Sequence, residues 1–557
     1  MPKALRRIRA AACSTATAAL LAALLLACSG GSGSTSGGGG PAEDSSEGNA
    51  QSADRDRPPG DPLATVTEQD VRDAVEQIPD EVAEVLERSG VPGASITVVH
   101  GDEVVYARGF GVRDLDSGEP VDEETVFQLA SLSKPISATV VSALVGRGEL
   151  DWSDPVVEHT PGFELSDPMV SERVSVGDLF SHRSGLPGHA GDLLEDLGFD
   201  REEILARLSM QPLAGFRDSY AYTNFGLTEA AVAAAAAAGG TWEELTESVL
   251  FEPAGMEHTT DSFEEFLSEP NRASPHVRDA EGNWVVGEQR DPSAQSPAGG
   301  VASNAEDLGA WLRIQLADGA LDGEQIVAEG ELTRMRTPQA LSGPPSSPSA
   351  RSSFYGFGLG VGDRDDGFVG LSHSGAFLMG AATAVGIVPG QDLAVAVITN
   401  GQPVGAAETL REVVLDLAIH GEVTRNWWEL YSQRFEGMYE PSTPTDWGAP
   451  VEQPAPARAD TAYLGTYSND YYGPLEVRQG ASGLEMVLGP ESMVFPLTHH
   501  DGDSFLFTPP GENSLGPTGI TFGFEGASGD GGSSGDVAVA ATVEYYDETG
   551  LGTWVHT

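Results

Sequence analysis

The chain has 557 residues, enough for two or three domains around a sizeable buried core. Its 85 acidic residues against 30 basic ones give a formal net charge of -55. This excludes the basic footprint that nucleic-acid binding needs and argues against docking on an anionic membrane face.

The first 28 residues read as an export signal. Lys3, Arg6, Arg7 and Arg9 precede an apolar stretch from Ala16 to Ala27, too short to span a bilayer comfortably. Leu25-Leu26-Ala27-Cys28 resembles a bacterial lipobox. That resemblance makes Cys28 a diacylated first residue and the lipid its only membrane attachment; ordinary cleavage without lipid is the alternative. Residues 29–62 form a flexible polar linker, glycine- and serine-rich at its start. Cys13 and Cys28 are the only cysteines, so the folded part has no disulfide framework and no cysteine-based metal site.

Residues 63–421 alternate helical and strand patterns. Val71 to Arg88 predicts a helix that Pro79 breaks. Ala94–His100 and Val104–Val112 flank a Gly101-Asp102 turn and read as a hairpin. Ile136 to Val145 is an apolar helix, and Thr228 to Ala238 an alanine-rich one that stops at Gly239-Gly240. Gly380–Val388 and Leu393–Thr399 read as strands joined at Pro389-Gly390, and Ala406–Ile419 as a closing helix. Strands at both ends with helices between predict an α+β fold with one antiparallel sheet flanked by helices. In residues 422–458 a further helix, Val423–Tyr439, precedes a proline-rich linker, Pro441–Pro456. Residues 459–557 hold short strand-like runs, such as Leu475-Glu476-Val477 and Ala538–Tyr546, and predict a small all-β domain.

Two readings of the charge stay open. An acidic surface keeps a protein dispersed in a salt-rich exterior; compositional drift in a genome poor in lysine codons gives the same result. Lysine occurs only at Lys3 and Lys134. Arginine has taken over the generic cationic roles, so Lys134 points to a need for an amine that can lose its proton.

Lys134 closes the motif Ser131-Leu132-Ser133-Lys134 at the mouth of the first apolar helix. A three-residue spacing puts hydroxyl and amine on one helix face. The helix N-terminus offers free N–H groups and a positive dipole end, which favour an oxyanion and a neutral amine. A neutral amine there can take the serine proton. Tyr222-Thr223-Asn224, on a loop before the alanine-rich helix, supplies a phenol to share or relay a proton and an amide to hold a substrate carbonyl. His373-Ser374-Gly375 lies at a strand edge, where Gly375 lets a ligand approach the backbone and the N–H of Ala376 can face an oxyanion. Taken singly, the second and third motifs read equally as a helix cap and a surface turn.

In this order the three motifs resemble those of the penicillin-recognising serine hydrolases, a family of class C β-lactamases, D-Ala-D-Ala carboxypeptidases, esterases and aminopeptidases. Leu179-Phe180-Ser181-His182-Arg183-Ser184-Gly185-Leu186-Pro187, Phe251-Glu252-Pro253-Ala254-Gly255-Met256, Pro297-Ala298-Gly299-Gly300 and Tyr355-Gly356-Phe357-Gly358-Leu359-Gly360 look like further segments of that family. The resemblance runs from about Val91 to Gly421 and implies a helical subdomain beside the sheet; the tail resembles the lipocalin-like domain of some members. It implies that Ser131 attacks a carbonyl and forms an acyl-enzyme, with Lys134 as base and Tyr222 passing protons. Asn224 orients the substrate, and His373 tunes Tyr222 and binds a carboxylate. The N–H groups of Ser131 and Ala376 form the oxyanion hole. The implied partner is a small ester, D-amino-acid peptide or β-lactam, and such tails imply homo-oligomer contacts or restricted pocket access. One departure matters: β-lactamases carry Lys-Thr-Gly as third motif, whereas His-x-Gly belongs to the esterase and peptidase branches.

The Gly-x-Ser-x-Gly pattern at Gly531–Gly535 lies in a low-complexity loop with no helix after it. The eleven histidines show no His-Glu-x-x-His spacing, so neither metal nor cofactor is expected. A penicillin-binding sensor that acylates without turnover would keep Ser-x-x-Lys and degrade the water-activating groups; Tyr222 is intact.

Overall fold

The computed structural model describes residues 65–557 except 348–349, 365, 441–442 and 526–536. The export signal, Cys28, the tether and the Gly531–Gly535 pattern fall outside the described residues. Among those described, no helix is long and apolar enough to cross a membrane.

Helix α1 (Glu68–Ser89) opens on a capping box between Thr67 and Asp70 and ends at Gly90, whose φ of 69° suits glycine. It runs unbroken through Pro79, contrary to the sequence expectation. Val71, Ala74, Ile78, Val82 and Val85 stay in phase and buried across the proline, so packing along one face outweighs the missing hydrogen bond.

Strands β1 (Gly93–His100) and β2 (Glu103–Gly111) form the expected hairpin. Helix α2 (Ser133–Arg147) is buried on nearly every side, as is the alanine-rich α4 (Asn224–Ala238); between them in sequence lies the short α3 (Asp192–Asp196). Helix α5 (Ala305–Leu316) follows. Strands β3 (Ala340–Gly343), β4 (Ser353–Tyr355), β5 (Gly360–Asp363), β6 (Val369–Phe377), β7 (Ala381–Val388) and β8 (Leu393–Thr399) complete an eight-stranded antiparallel sheet. Its order is β2-β1-β8-β7-β6-β5-β4-β3. Helix α1 and the closing helix α6 (Ala406–His420) cover one face and share a core with it; α5 packs on the other. The segment expected as one helix to Tyr439 is the shorter α7 (Trp427–Glu436) followed by a single tight turn.

The C-terminal part is a nine-stranded antiparallel sheet made of β9 (Gly465–Ser468), β10 (Leu475–Gln479), β11 (Leu484–Leu488), β12 (Met493–Pro496), β13 (Thr498–Asp501), β14 (Ser504–Phe507), β15 (Thr518–Gly523), β16 (Ala540–Val543) and β17 (Thr553–His556). The spatial order is β12-β11-β10-β9-β17-β16-β15-β14-β13. Its two edge strands, β12 and β13, are joined through Leu497 alone, which forces the sheet to curl until it is nearly closed. The run after Ala538 is a strand only to Val543; Glu544–Tyr546 turn.

The proline-rich connection is not free. The Trp447 indole N–H donates to Glu544 at 2.6 Å, and its ring covers Gly519, where a side chain would collide with it. The β domain also packs on the preceding part of the chain: Gly489 and Met493 meet Leu197 and Gly198, and Gly511 lies on Asp196. Apolar residues of both parts form one continuous core.

Candidate active site

Ser131 sits in a tight turn, Ala130–Leu132, that feeds directly into α2. Ala130 has a φ of 49°, a left-handed conformation rare for a residue with a side chain, so the backbone just before the hydroxyl is strained. The turn is pinned from several sides. Ser133 donates to the Ala130 carbonyl at 2.7 Å and accepts from the Val301 N–H at 3.0 Å. Leu129 N–H donates to the Val301 carbonyl at 2.8 Å.

Gly375 explains the third contact. A Cβ there would collide with the Leu129 carbonyl and the Thr383 hydroxyl and come within 3.0 Å of Leu132 N. Besides the ligand approach expected from the sequence, that glycine lets the turn carrying Ser131 lie against β6. Ser131, Asn224 and Ala376 keep partial exposure, whereas Lys134, Tyr222 and His373 are buried.

Lys134 Nζ has three oxygen neighbours: Ser131 Oγ at 3.0 Å, Asn224 Oδ1 at 2.7 Å and the Ala298 carbonyl at 2.8 Å. Two of these can only accept. A neutral amine carries two N–H bonds and one lone pair, so the carbonyls take both N–H bonds and the lone pair is left for the Ser131 proton. Burial lowers the amine to about 7, with Asp192 opposing and Arg290 assisting. Near neutral pH a large fraction of Lys134 is therefore a base.

Tyr222 donates to Ser131 Oγ at 2.8 Å. Burial pushes its pKa far above the ordinary tyrosine value, so the phenol keeps its proton near neutral pH. The segment Leu179–Pro187 places it. His182 accepts from Ala221 N–H through its carbonyl and from Thr223 N–H through Nδ1, and its ring lies 4.6 Å from that of Tyr222. Behind it the buried Asp178 carboxylate holds Arg183 and Arg217. Asn224 is the first residue of α4 rather than a loop residue.

His373 Nδ1 faces the Ser374 carbonyl at 2.7 Å, which only accepts, so Nδ1 carries the proton. Nε2 then accepts from Tyr355 OH at 2.9 Å. Burial, then the Lys134 charge, lowers His373 to about 3. It is a neutral ring with both nitrogens occupied. As placed it offers no cation to a substrate carboxylate, and it reaches Tyr222 by ring packing, with centroids 6.5 Å apart, rather than by a hydrogen bond.

Three neighbours, Asp192, Arg290 and Glu512, gave no signal in the sequence, and a fourth, Ala298, gave one only as part of Pro297–Gly300. Ala298 acts through its carbonyl, which a motif cannot show. Asp192 lies beside Asn224 (Oδ2 to Nδ2, 3.0 Å). Arg290, stacked over Phe377, holds Glu195 of α3 at 2.8 Å and Glu512 of the β domain. Glu512 also accepts from the Leu378 N–H at 2.8 Å, just past β6. No three-residue group of metal-ligand type occurs among the described residues.

The Beta-lactamase family profile matches residues 71–419, and residues 449–540 match a domain of unknown function, DUF3471. Penicillin-binding protein 4 of Amycolatopsis lactamdurans is 30% identical over 322 residues, 56% of this chain and 81% of the relative. The unguisins hydrolase ungD of Aspergillus violaceofuscus is 24% identical over 434 residues, 71% of this chain and 75% of the relative. The octameric penicillin-binding protein homologue from Pyrococcus abyssi superposes with a TM-score of 0.56 at 20% identity, covering 84% of this chain and 98% of that one. With the profile spanning well over half its length, the chain belongs to the beta-lactamase family of serine hydrolases.

Proposed function

We propose that the protein hydrolyses small esters or D-amino-acid peptides through an acyl-enzyme on Ser131. The observation that carries this reading is the lone pair of Lys134, left by Asn224 and Ala298 to face the Ser131 hydroxyl. Ser131 Oγ bonds to the substrate carbonyl carbon while its proton passes to Lys134. The N–H groups of Ser131 and Ala376 receive the oxyanion. Its collapse breaks the bond to the leaving group, which takes a proton from Tyr222 while Lys134 gives the serine's proton to the phenolate so formed. Water then adds to the acyl carbon and gives its proton through Tyr222 to Ser131 Oγ, whose bond to that carbon breaks and frees the acid.

The neutral His373 supports esters and peptides over β-lactams, because it lacks the charge that would anchor a carboxylate. A panel of short-chain esters, D-amino-acid peptides and a chromogenic cephalosporin, run on wild type and Ser131→Ala, tests this. Wild type is expected to turn over an ester or peptide fastest. Cephalosporin hydrolysis faster than every other substrate would overturn the preference.

We further infer that Cys28 carries the lipid anchor. Cys28→Ser is expected to move the protein from the membrane fraction to the soluble one. A variant that still sediments with membranes at high salt contradicts it.

A further inference from the structure

We propose that Asp192 is a positioning residue for acyl transfer, holding the Asn224 carboxamide in the one orientation that leaves the Lys134 lone pair on Ser131. This rests on Ser131 and Lys134 acting as proposed above. Asp192 opens α3 and is buried. Its Oδ2 accepts from Asn224 Nδ2 at 3.0 Å and from His189 Nδ1 at 2.9 Å. On the far side Asn224 Oδ1 accepts from Lys134 at 2.7 Å.

The argument is one of donor count. A carboxylate only accepts, so the amide nitrogen must face Asp192 and the amide oxygen must face Lys134. A flipped amide would set oxygen against carboxylate and turn its N–H groups toward the amine. The amine lone pair would then accept from Asn224 instead of from Ser131. Asp192 thus decides the direction of proton transfer from one residue away, without touching substrate. Asn224 is tied down on both sides, which leaves it one spare N–H for a substrate carbonyl.

The carboxylate also sets the charge around the amine. Asp192 favours the protonated form of Lys134 and Arg290 disfavours it. His182 and His373 are held neutral by burial, and the Tyr222 ring lies 4.6 Å from Nζ. Burial alone would lower His189, but its hydrogen bond to Asp192 and the charge of Asp192 outweigh this and raise it. Removing the Asp192 charge therefore moves the Lys134 titration to lower pH, an effect that loosened packing would not produce.

The test uses the full chain and a small fluorophosphonate that labels Ser131. Asp192→Asn is expected to label about 100-fold more slowly, with the acid limb of its rate profile displaced to lower pH. Lysine labelled with 13C at Cε gives a second readout free of activity. The sequence has two lysines, and the signal that disappears in Lys134→Arg is that of Lys134. Its midpoint is expected to fall in Asp192→Asn. A labelling rate within about threefold of wild type, or an unmoved midpoint, overturns the proposal. Should Asp192→Asn fail to fold, Asp192→Glu carries the test. The longer side chain is expected to label at least tenfold more slowly with an unmoved midpoint, and a wild-type rate overturns the orienting role. Ser131→Ala is run in parallel; if it also labels, the nucleophile assignment falls, not the role of Asp192.

Discussion

Ser131→Ala and Lys134→Arg are each expected to lower ester turnover by about four decades, some 5–6 kcal/mol of transition-state stabilisation. The serine variant lacks the attacking oxygen. The lysine variant keeps a cation and both carbonyl acceptors but cannot present a lone pair, because a guanidinium does not deprotonate in the working range. The double variant should be no worse than either single one, since the two groups act as a unit. In wild type the rate should rise with pH through about 7, where the amine loses its proton, and the loss on acidification should follow one group. Lys134→Arg should show no such limb. The measurement is a pH series of turnover with all three proteins. A Lys134→Arg enzyme within tenfold of wild type would sink the assignment of the base.

Arg290→Met is expected to cost about 3–5 kcal/mol of stability at neutral pH. Arg290 is 8% exposed and holds Glu195 and Glu512, with Asp196 close enough to feel its charge. Methionine keeps much of the volume over Phe377 and removes the charge, leaving three acidic groups in one buried seam. The sign of the pH dependence follows. Burial already raises Glu195, and it raises Asp196 to about 7 even with Arg290 present. Acids raised on folding resist ionisation, so their cost is absent below the unfolded carboxylate range and grows as pH rises through the folded value. Loss of Arg290 raises them further. The deficit relative to wild type should therefore be greatest above pH 7 and shrink toward pH 5. Urea midpoints at several pH values measure it. A deficit that grows on acidification would mean that the seam is not held as described.

What the sequence showed of this site was the part that is local. Ser131 and Lys134 declare themselves because one helical turn joins them, and Tyr222 with Asn224 because they share a short motif. The parts that act through the backbone or across the fold left no such trace. Ala298 was visible only as a member of Pro297–Gly300, not as a carbonyl, and Asp192 stands 32 positions from Asn224. Glu512 meets Arg290 across 222 residues and a domain boundary. The fold was legible for the same reason: the strong apolar runs became strands and helices close to their expected limits. Pro79 misled because a local rule about one hydrogen bond lost to a buried face five residues strong. Gly375 was noticed for closeness of approach, and the neighbour the structure shows there is the turn carrying Ser131.

The strand order of the β domain bears on how it comes to exist. Strands β9 to β12 are neighbours in sequence and in space, and so are β13 to β16; each set can zip up by itself from local hairpins. Strand β17, latest of the nine in sequence, takes the fifth place and joins the two sets. Until Thr553–His556 arrives, the domain is two half-sheets joined through Leu497 but not paired to each other, each with a bare edge at β9 or β16 that invites pairing with another chain. Assembly is thus gated by one four-residue segment of high contact order. A synthetic peptide of that segment, added to refolding protein, should compete for the gap and slow recovery of the native fluorescence of Trp554.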